Sequence, residues 1–187
     1  MTMTEREKLR NGLMADIQDP ELQALLHRAK SLLPKFNACY LHGPGYDSLL
    51  HELVPDLGEG SFIAPPFYCD YGCHLHIGKG VFINFDCVFL DGADIYIEDH
   101  VLIGPKVQLL TPQHPFDHIE RRKPIEASHS IRIGEDSWLG GGVIVCPGVT
   151  IGKRCIIGAG SVVTKDIPDD STVAGNPARG IGRNPSQ

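Results

Sequence analysis

The residues best suited to chemistry sit where the chain breaks its own pattern. Residues 111–130 read TPQHPFDHIERRKPIEASHS and hold three histidines, His114, His118 and His129. A neutral imidazole near pH 7 is a good general base. His114 lies in QHP, just after Leu110, the last residue of a regular ladder. A long insertion in a ladder must leave the wall as an external loop, and such loops carry function more often than stability. The plain alternative is a solvated loop histidine.

Polar residues elsewhere interrupt apolar units: Asp70 in CDYG, and Asn84 and Asp86 in INFDC. Together on one wall they can hold hydroxyl groups, although any one of them is better explained as a turn residue. His74 and His76 are two apart and would share one side of a strand. A metal site needs about three converging ligands. His100 could be a third, but nothing in the spacing enforces it, so no metal site is expected. Cys87 follows Asp86, whose charge disfavours a thiolate, and Cys87 and Cys146 fit a repeat core better than a nucleophile. Near the C-terminus Thr164, Lys165, Arg179 and Arg183 gather positive charge and a hydroxyl in an otherwise acidic chain. That composition suits a phosphate group, or simply a solvated surface.

The elements that must position these residues are set by a repeat. From Leu139 the chain reads LGGGVI, VCPGVT, IGKRCI, IGAGSV, VTK, and every unit opens on an aliphatic residue: Leu139, Val145, Ile151, Ile157, Val163. A six-residue period fits neither a 3.6-residue helix nor an alternating strand, and reads as a parallel β-helix. Each six would form one short strand and one tight turn, and three strands would close a coil of about eighteen residues. Weaker units run from Phe62 to Leu110, and the ladder resumes with IRIGEDSW.

Ahead of the coil, residues 4–33 read as helical. Thr4 caps a first segment, with Leu9, Leu13, Met14 and Ile17 at helical spacing. Asp19-Pro20-Glu21 is a second start signal, and Pro34 is expected to stop that helix. Asp47 is expected to cap a short helix over 48–54. The division is therefore a helical segment 1–55, a coil 56–168 with external loop 111–130, and a tail 169–187 that leaves the ladder.

The whole chain sets limits. Its 187 residues suffice for one domain with a real core. A net charge of −6 argues against non-specific nucleic-acid binding. No apolar run approaches a membrane span and the polar start MTMTEREKLRNG is no signal peptide, so the expected compartment is the cytoplasm. The six cysteines then read as free thiols, and no CxxC pair exists.

Several segments together resemble the hexapeptide-repeat sugar O-acetyltransferases, the group of maltose and galactoside acetyltransferases. They are DIQDPEL (16–22), FYCDYG (67–72), INFDCVFLD (83–91), LLTPQHP (109–115), WLGGGVIVCPGVTIG (138–152), IGAGSVVTKDIP (157–168) and AGNPAR (174–179). The repeat alone is shared by many acyltransferases. The resemblance implies a mainly β fold, a left-handed parallel β-helix with N-terminal α-helices and an external loop. It implies a homotrimer with acetyl-CoA between neighbouring subunits. By resemblance His114 is the catalytic histidine, and Asn84 holds the acceptor sugar. Asp16 and Asp70 are acceptor-side positions, and Glu126 is the acceptor-facing loop residue where galactoside acetyltransferase has Met. The family can show two acids after the NF segment; here the pair is Asp91-Gly92, so Asp91 alone is the candidate. On the coenzyme side Gly141, Ala159, Thr164, Lys165 and Arg179 match, and Arg183 matches one residue out of step.

The implied chemistry is direct transfer. His114 would take a proton from a sugar hydroxyl as its oxygen attacks the thioester. A backbone N–H near Gly141 or Gly142 would meet the developing oxyanion, because glycine lets a ligand approach the main chain. The rival readings are an acetyltransferase for an antibiotic or amino-acid hydroxyl, a metal hydratase of the γ-carbonic-anhydrase type, and a scaffold without activity.

Overall fold

A computed structural model describes residues 2–183. Residues 56–174 wind into a parallel β-solenoid of about six turns, whose short strands stack into three faces. The first face stacks Asp56–Leu57, Leu75–Ile77, Ile95–Ile97, Ile131–Ile133 and Thr150–Ile151. The second stacks Phe62–Ile63, Phe82–Ile83, Leu102–Ile103, Trp138–Leu139, Ile156–Ile157 and Ser171–Ala174. The third stacks Phe67–Cys69, Cys87–Leu90, Gln108–Leu110, Ile144–Val145 and Val162–Val163.

The six-residue period works because it returns each aliphatic residue to the same inward position. Ile63, Ile83, Ile103, Leu139 and Ile157 stack in register inside the second face and are all buried. Each such side chain contributes about 1.5–3 kcal/mol of burial. Coils approach closely at the corners. A Cβ on Gly140 would lie 2.7 Å from the Ala159 backbone nitrogen, so only glycine fits there. The Ser137 hydroxyl closes another corner, donating to the Gly152 carbonyl and accepting from the Cys155 N–H. Asp86 sits at φ 60, the left-handed region of a tight turn, which is the turn role its residue type suggested.

The N-terminal segment packs against this coil, with boundaries that differ from the expectation. Helix α1 is only Glu5–Arg10, opened by a capping box between Thr4 and Glu7. Gly12, at φ 74, ends the run, and Leu13 and Met14 are exposed rather than on a helix face. The chain then extends: Ala15–Asp16 pairs antiparallel with Ile125–Ser128. Helix α2 spans Pro20–Asn37 and runs through Pro34 instead of stopping there. An internal proline loses a hydrogen bond and crowds the preceding turn. Docking compensates, since Phe36 is fully buried and the Asn37 amide donates to the Phe67 carbonyl and accepts from its N–H. Helix α3 is Tyr46–Leu53, with Gly45 at its cap and Asp47 inside its first turn, not capping it.

Two further segments are more ordered than the sequence indicated. The 111–130 insertion is a β-hairpin, Pro112–Gln113 against Ile125–Ser128, with a short 3₁₀ turn at Glu120–Arg122. The tail does not leave the ladder at 169. Ser171–Ala174 adds a parallel strand to the second face, and Arg179–Arg183 folds back antiparallel over it. Residues 184–187 lie outside the described residues. Among the described residues no helix is long and apolar enough to cross a membrane.

Candidate active site

Three successive turns place Asp70, Asp91 and Thr111 at one corner, where the third face gives way to the first. Asp91 is fully buried, and its carboxylate accepts from the backbone N–H groups of Asp70 (3.0 Å), Tyr71 (2.8 Å) and His74 (3.3 Å). This is a correction to the acceptor contact expected of Asp91: it faces the protein, and it shapes the turn that presents Asp70 and Tyr71. Burial pushes the Asp91 carboxyl up to about 7, against the pull of those N–H groups. A Cβ on Gly92 beside it would fall 2.2 Å from the Ser128 hydroxyl, which would have to turn aside.

The hairpin brings His114 and Glu126 together. Pro112 pairs with Ser128 and Gln113 with Ala127, so His114 follows directly opposite Glu126. Ala15 pairs with Glu126 on the other side and holds the hairpin against the N-terminal segment. His114, Glu126 and Asp70 line one pocket of about 270 Å³, with Ile17, Gln23, Leu26, Tyr71, Leu90 and Pro112 as its other walls. Gln23 donates to the Ile17 carbonyl at 2.8 Å and fixes helix α2 against this wall. Burial pushes the Asp70 carboxyl up to about 6, with Lys30 pulling it back. Burial likewise raises Glu126, which His114 draws down and Asp70 pushes up. Among the described residues neither carboxylate closes a hydrogen bond or an ion pair.

Asp16 lies at the rim, exposed and next to the pocket residue Ile17, its carboxylate accepting from the Gln18 N–H. The walls from helix α2 gave no sequence signal, because Gln23 and Leu26 look like any amphipathic helix residues. Tyr71, beside Asp70, carries no signal of its own in the sequence.

The coenzyme-side candidates divide into two places. Thr164, Lys165 and Arg179 line a second cavity, of about 320 Å³, at the end of the third face. Among the described residues neither Lys165 nor Arg179 is in an ion pair; Arg179 donates to the Ala178 carbonyl. Arg183 closes the last strand, opposite Ser171. Gly141 and Ala159 lie at the opposite edge of the third face, where it receives the chain from the second. Asn84 lies on that same far edge, after Phe82–Ile83. A third-face strand separates the two edges, on the order of 15 Å at about 3.3 Å per residue. One chain therefore does not bring Asn84, Gly141 or Ala159 to His114. The Gly142 N–H is committed to the Pro105 carbonyl at 2.8 Å, which leaves Gly141 as the main-chain donor candidate.

The remaining histidines and thiols have other partners. The buried His74 ring pairs with the Asp91 carbonyl and accepts from Arg6, and burial lowers its pKa to about 4. His76 lies between Asp56 and Asp94. Among the described residues no three His, Cys, Asp or Glu side chains converge as metal ligands. Cys87 is fully buried and its thiol is pushed up to about 11, unsuited to nucleophilic attack at neutral pH.

Comparison with known proteins gives concordant findings. The family described as "Bacterial transferase hexapeptide (six repeats)" matches residues 130–165. Nodulation protein L of Rhizobium meliloti (strain 1021) is 43% identical over 180 residues, 96% of this chain and 98% of that protein. A crystal structure of a maltose O-acetyltransferase from Clostridium difficile 630 superposes with TM-score 0.94 at 39% identity, covering 98% of each chain. A hexapeptide-repeat acetyltransferase from Vibrio cholerae O1 biovar eltor, complexed with acetyl coenzyme A, superposes with TM-score 0.90 at 40% identity, covering 97% of this chain and 98% of that one.

Proposed function

The chain belongs to the hexapeptide-repeat sugar O-acetyltransferases, and from that membership we propose that it moves acetyl from acetyl-CoA to a sugar hydroxyl with His114 as general base. The observation that carries this reading is the pocket in which His114 faces Asp70 and Glu126. His114 takes the hydroxyl proton as the oxygen bonds to the thioester carbon. The carbon–sulfur bond then breaks, and the proton passes from His114 to the departing sulfur. The Gly141 N–H stabilises the developing oxyanion. Asp70, Glu126, Asp16 and Asn84 hold the acceptor's hydroxyls.

Acetyl-CoA supplies an activated acetyl group and a set of phosphates. The cavity at the end of the third face fits those phosphates, since Lys165 and Arg179 line it and, among the described residues, neither is in an ion pair. Replacing both with alanine is expected to raise KM for acetyl-CoA tenfold or more, with kcat changed less. Steady-state kinetics following thiol release would check it, and an unchanged KM would remove the phosphate role. The same assay, run over a panel of sugars and amino-acid hydroxyls, tests the acceptor class. Acetylation of hydroxy amino acids but of no sugar would overturn the sugar reading.

The site is completed in a closed ring of three copies. The separation of His114 from Asn84 and Gly141 across the third face supports this, because a neighbour can bring its far edge against His114. The outward rows support it too. The first face shows Asp56, His76, Tyr96, Arg132 and Thr150 to the outside. The second shows Phe62, Phe82, Leu102, Trp138 and Ile156, with Leu102 48% and Trp138 51% exposed. The third shows Tyr68, Val88, Gln108, Ile144 and Val162. Two apolar rows and one polar row fit a ring that buries two faces and leaves one in water. The double substitution Leu102→Glu, Trp138→Glu is expected to give folded monomers with activity down tenfold or more. Sedimentation and circular dichroism would show it; fully active monomers would exclude a shared site.

A further inference from the structure

The acceptor pocket is more acidic than binding of hydroxyls requires. Asp70 enters from the coil corner, held by Asp91 through its own N–H, and Glu126 enters from the hairpin. The two carboxylates line the same pocket, and Asp70 pushes Glu126 up. The charged and titratable groups around them are His114 on the hairpin, Lys30 on helix α2, Cys69 at the end of the third-face strand, and Tyr71 and Asp91 on the corner. Lys30 acts on Asp70 only through space, with no ion pair. The other walls are Ile17, Leu26, Leu90 and Pro112, which offer no positive charge, and Gln23, whose amide is spent on Ile17. Among the described residues of one chain, these two half-desolvated carboxylates close no ion pair and accept no hydrogen bond, so their site is incomplete. Neutral hydroxyls fill their hydrogen bonds but leave the charge uncompensated; an ammonium group does both.

We propose, resting on the sugar O-acetyltransferase reading, that Asp70 and Glu126 select an acceptor carrying a protonated amine beside the hydroxyl that His114 activates. The amine docks and the hydroxyl reacts. A protonated amine against two carboxylates has no lone pair to attack the thioester, so the transferred acetyl ends as an ester. Because burial holds Asp70 at about 6, the preference strengthens as pH rises through that value and the pocket gains its full negative charge. It fades again once the amine itself loses its proton.

The test is a comparison of two acceptors of one ring shape, glucosamine and glucose, with the intact enzyme and acetyl-CoA at pH 7. Product identity is read by NMR, and only the ester is scored. Glucosamine is expected to show kcat/KM for O-acetylation about tenfold or more above glucose, the scale of one charge-assisted hydrogen bond. In the double variant Asp70→Asn, Glu126→Gln the ratio is expected to fall to about one. The ratio is taken within each protein, so a general loss of activity does not disturb it. If the double variant does not fold, Glu126→Gln alone is expected to lower the ratio severalfold. Equal use of the two sugars, an unchanged ratio in the variants, or an amide product would each overturn the proposal while leaving sugar acetylation standing. Failure of both sugars, with acetyl-CoA binding intact, would take the sugar reading down with it.

Discussion

Replacing His114 with alanine is expected to lower kcat by a hundredfold or more while the protein stays folded. The size follows from what a positioned base supplies, typically about 10²–10⁴ in rate, and a hundredfold corresponds to about 2.7 kcal/mol of barrier. The fold should be indifferent, because His114 is exposed and its ring contributes nothing to the core. The acceptor KM should move less than kcat, since the walls and the two carboxylates remain. Two other groups in the pocket can take a proton, Asp70 and Glu126. The discriminating control is therefore Glu126→Gln. If Glu126 were the base, that variant would lose as much turnover as His114→Ala. A His114→Ala enzyme with near-normal kcat would remove the assignment, and a burst of acetyl-enzyme would point to a covalent route instead.

Asp91→Ala is expected to cost about 3 kcal/mol or more of stability. Its carboxylate is the acceptor for three backbone N–H groups, those of Tyr71 and His74 buried and that of Asp70 partly so, and an orphaned buried donor costs about 1–3 kcal/mol. Urea denaturation of the purified protein would measure it, and a midpoint unchanged from wild type would show that those N–H groups find water. Where Asp91→Ala folds, acceptor KM should rise, because Asp70 and Tyr71 lose the anchor that presents them. A pH effect comes with it. The Asp91 carboxyl is raised to about 7 in the fold, above the ordinary carboxylate value of about 3.9. Its stabilising contribution is therefore full below the unfolded pKa and is lost as pH rises through about 7. Asp91→Asn, which cannot ionise, should flatten the stability profile between those values.

Particular residues show how much was legible beforehand. The aliphatic ladder from Leu139 to Val163 announced the solenoid, since only a six-residue coil returns every sixth side chain to the same inward place. The proline and histidine content of 111–130 marked the insertion and His114 with it. Helix limits were less legible. Pro34 looked like a stop, yet helix α2 continues because Phe36 and Asn37 dock on the coil. Leu13 and Met14 had helical spacing, yet Gly12 turns the chain and Ala15–Asp16 pairs with the hairpin instead. In each case a contact distant in sequence outweighed a local preference of comparable size.

Asp91 carries the same lesson into the site. The family likeness suggested contact with the acceptor, but a carboxylate in a tight corner meets three N–H groups before it can meet a ligand. The sequence by itself determined the repeat and the family, because these depend on residue type and period along the chain. Only the tertiary structure decided which acids share the pocket. His114 meets Glu126 through antiparallel register, and both meet Asp70 through the stacking of a turn more than 40 residues earlier in the chain. It also decided that Asn84, Gly141 and Ala159 stand on the far edge of the third face. Strand length separates them from His114, and no pattern of residue types records that distance.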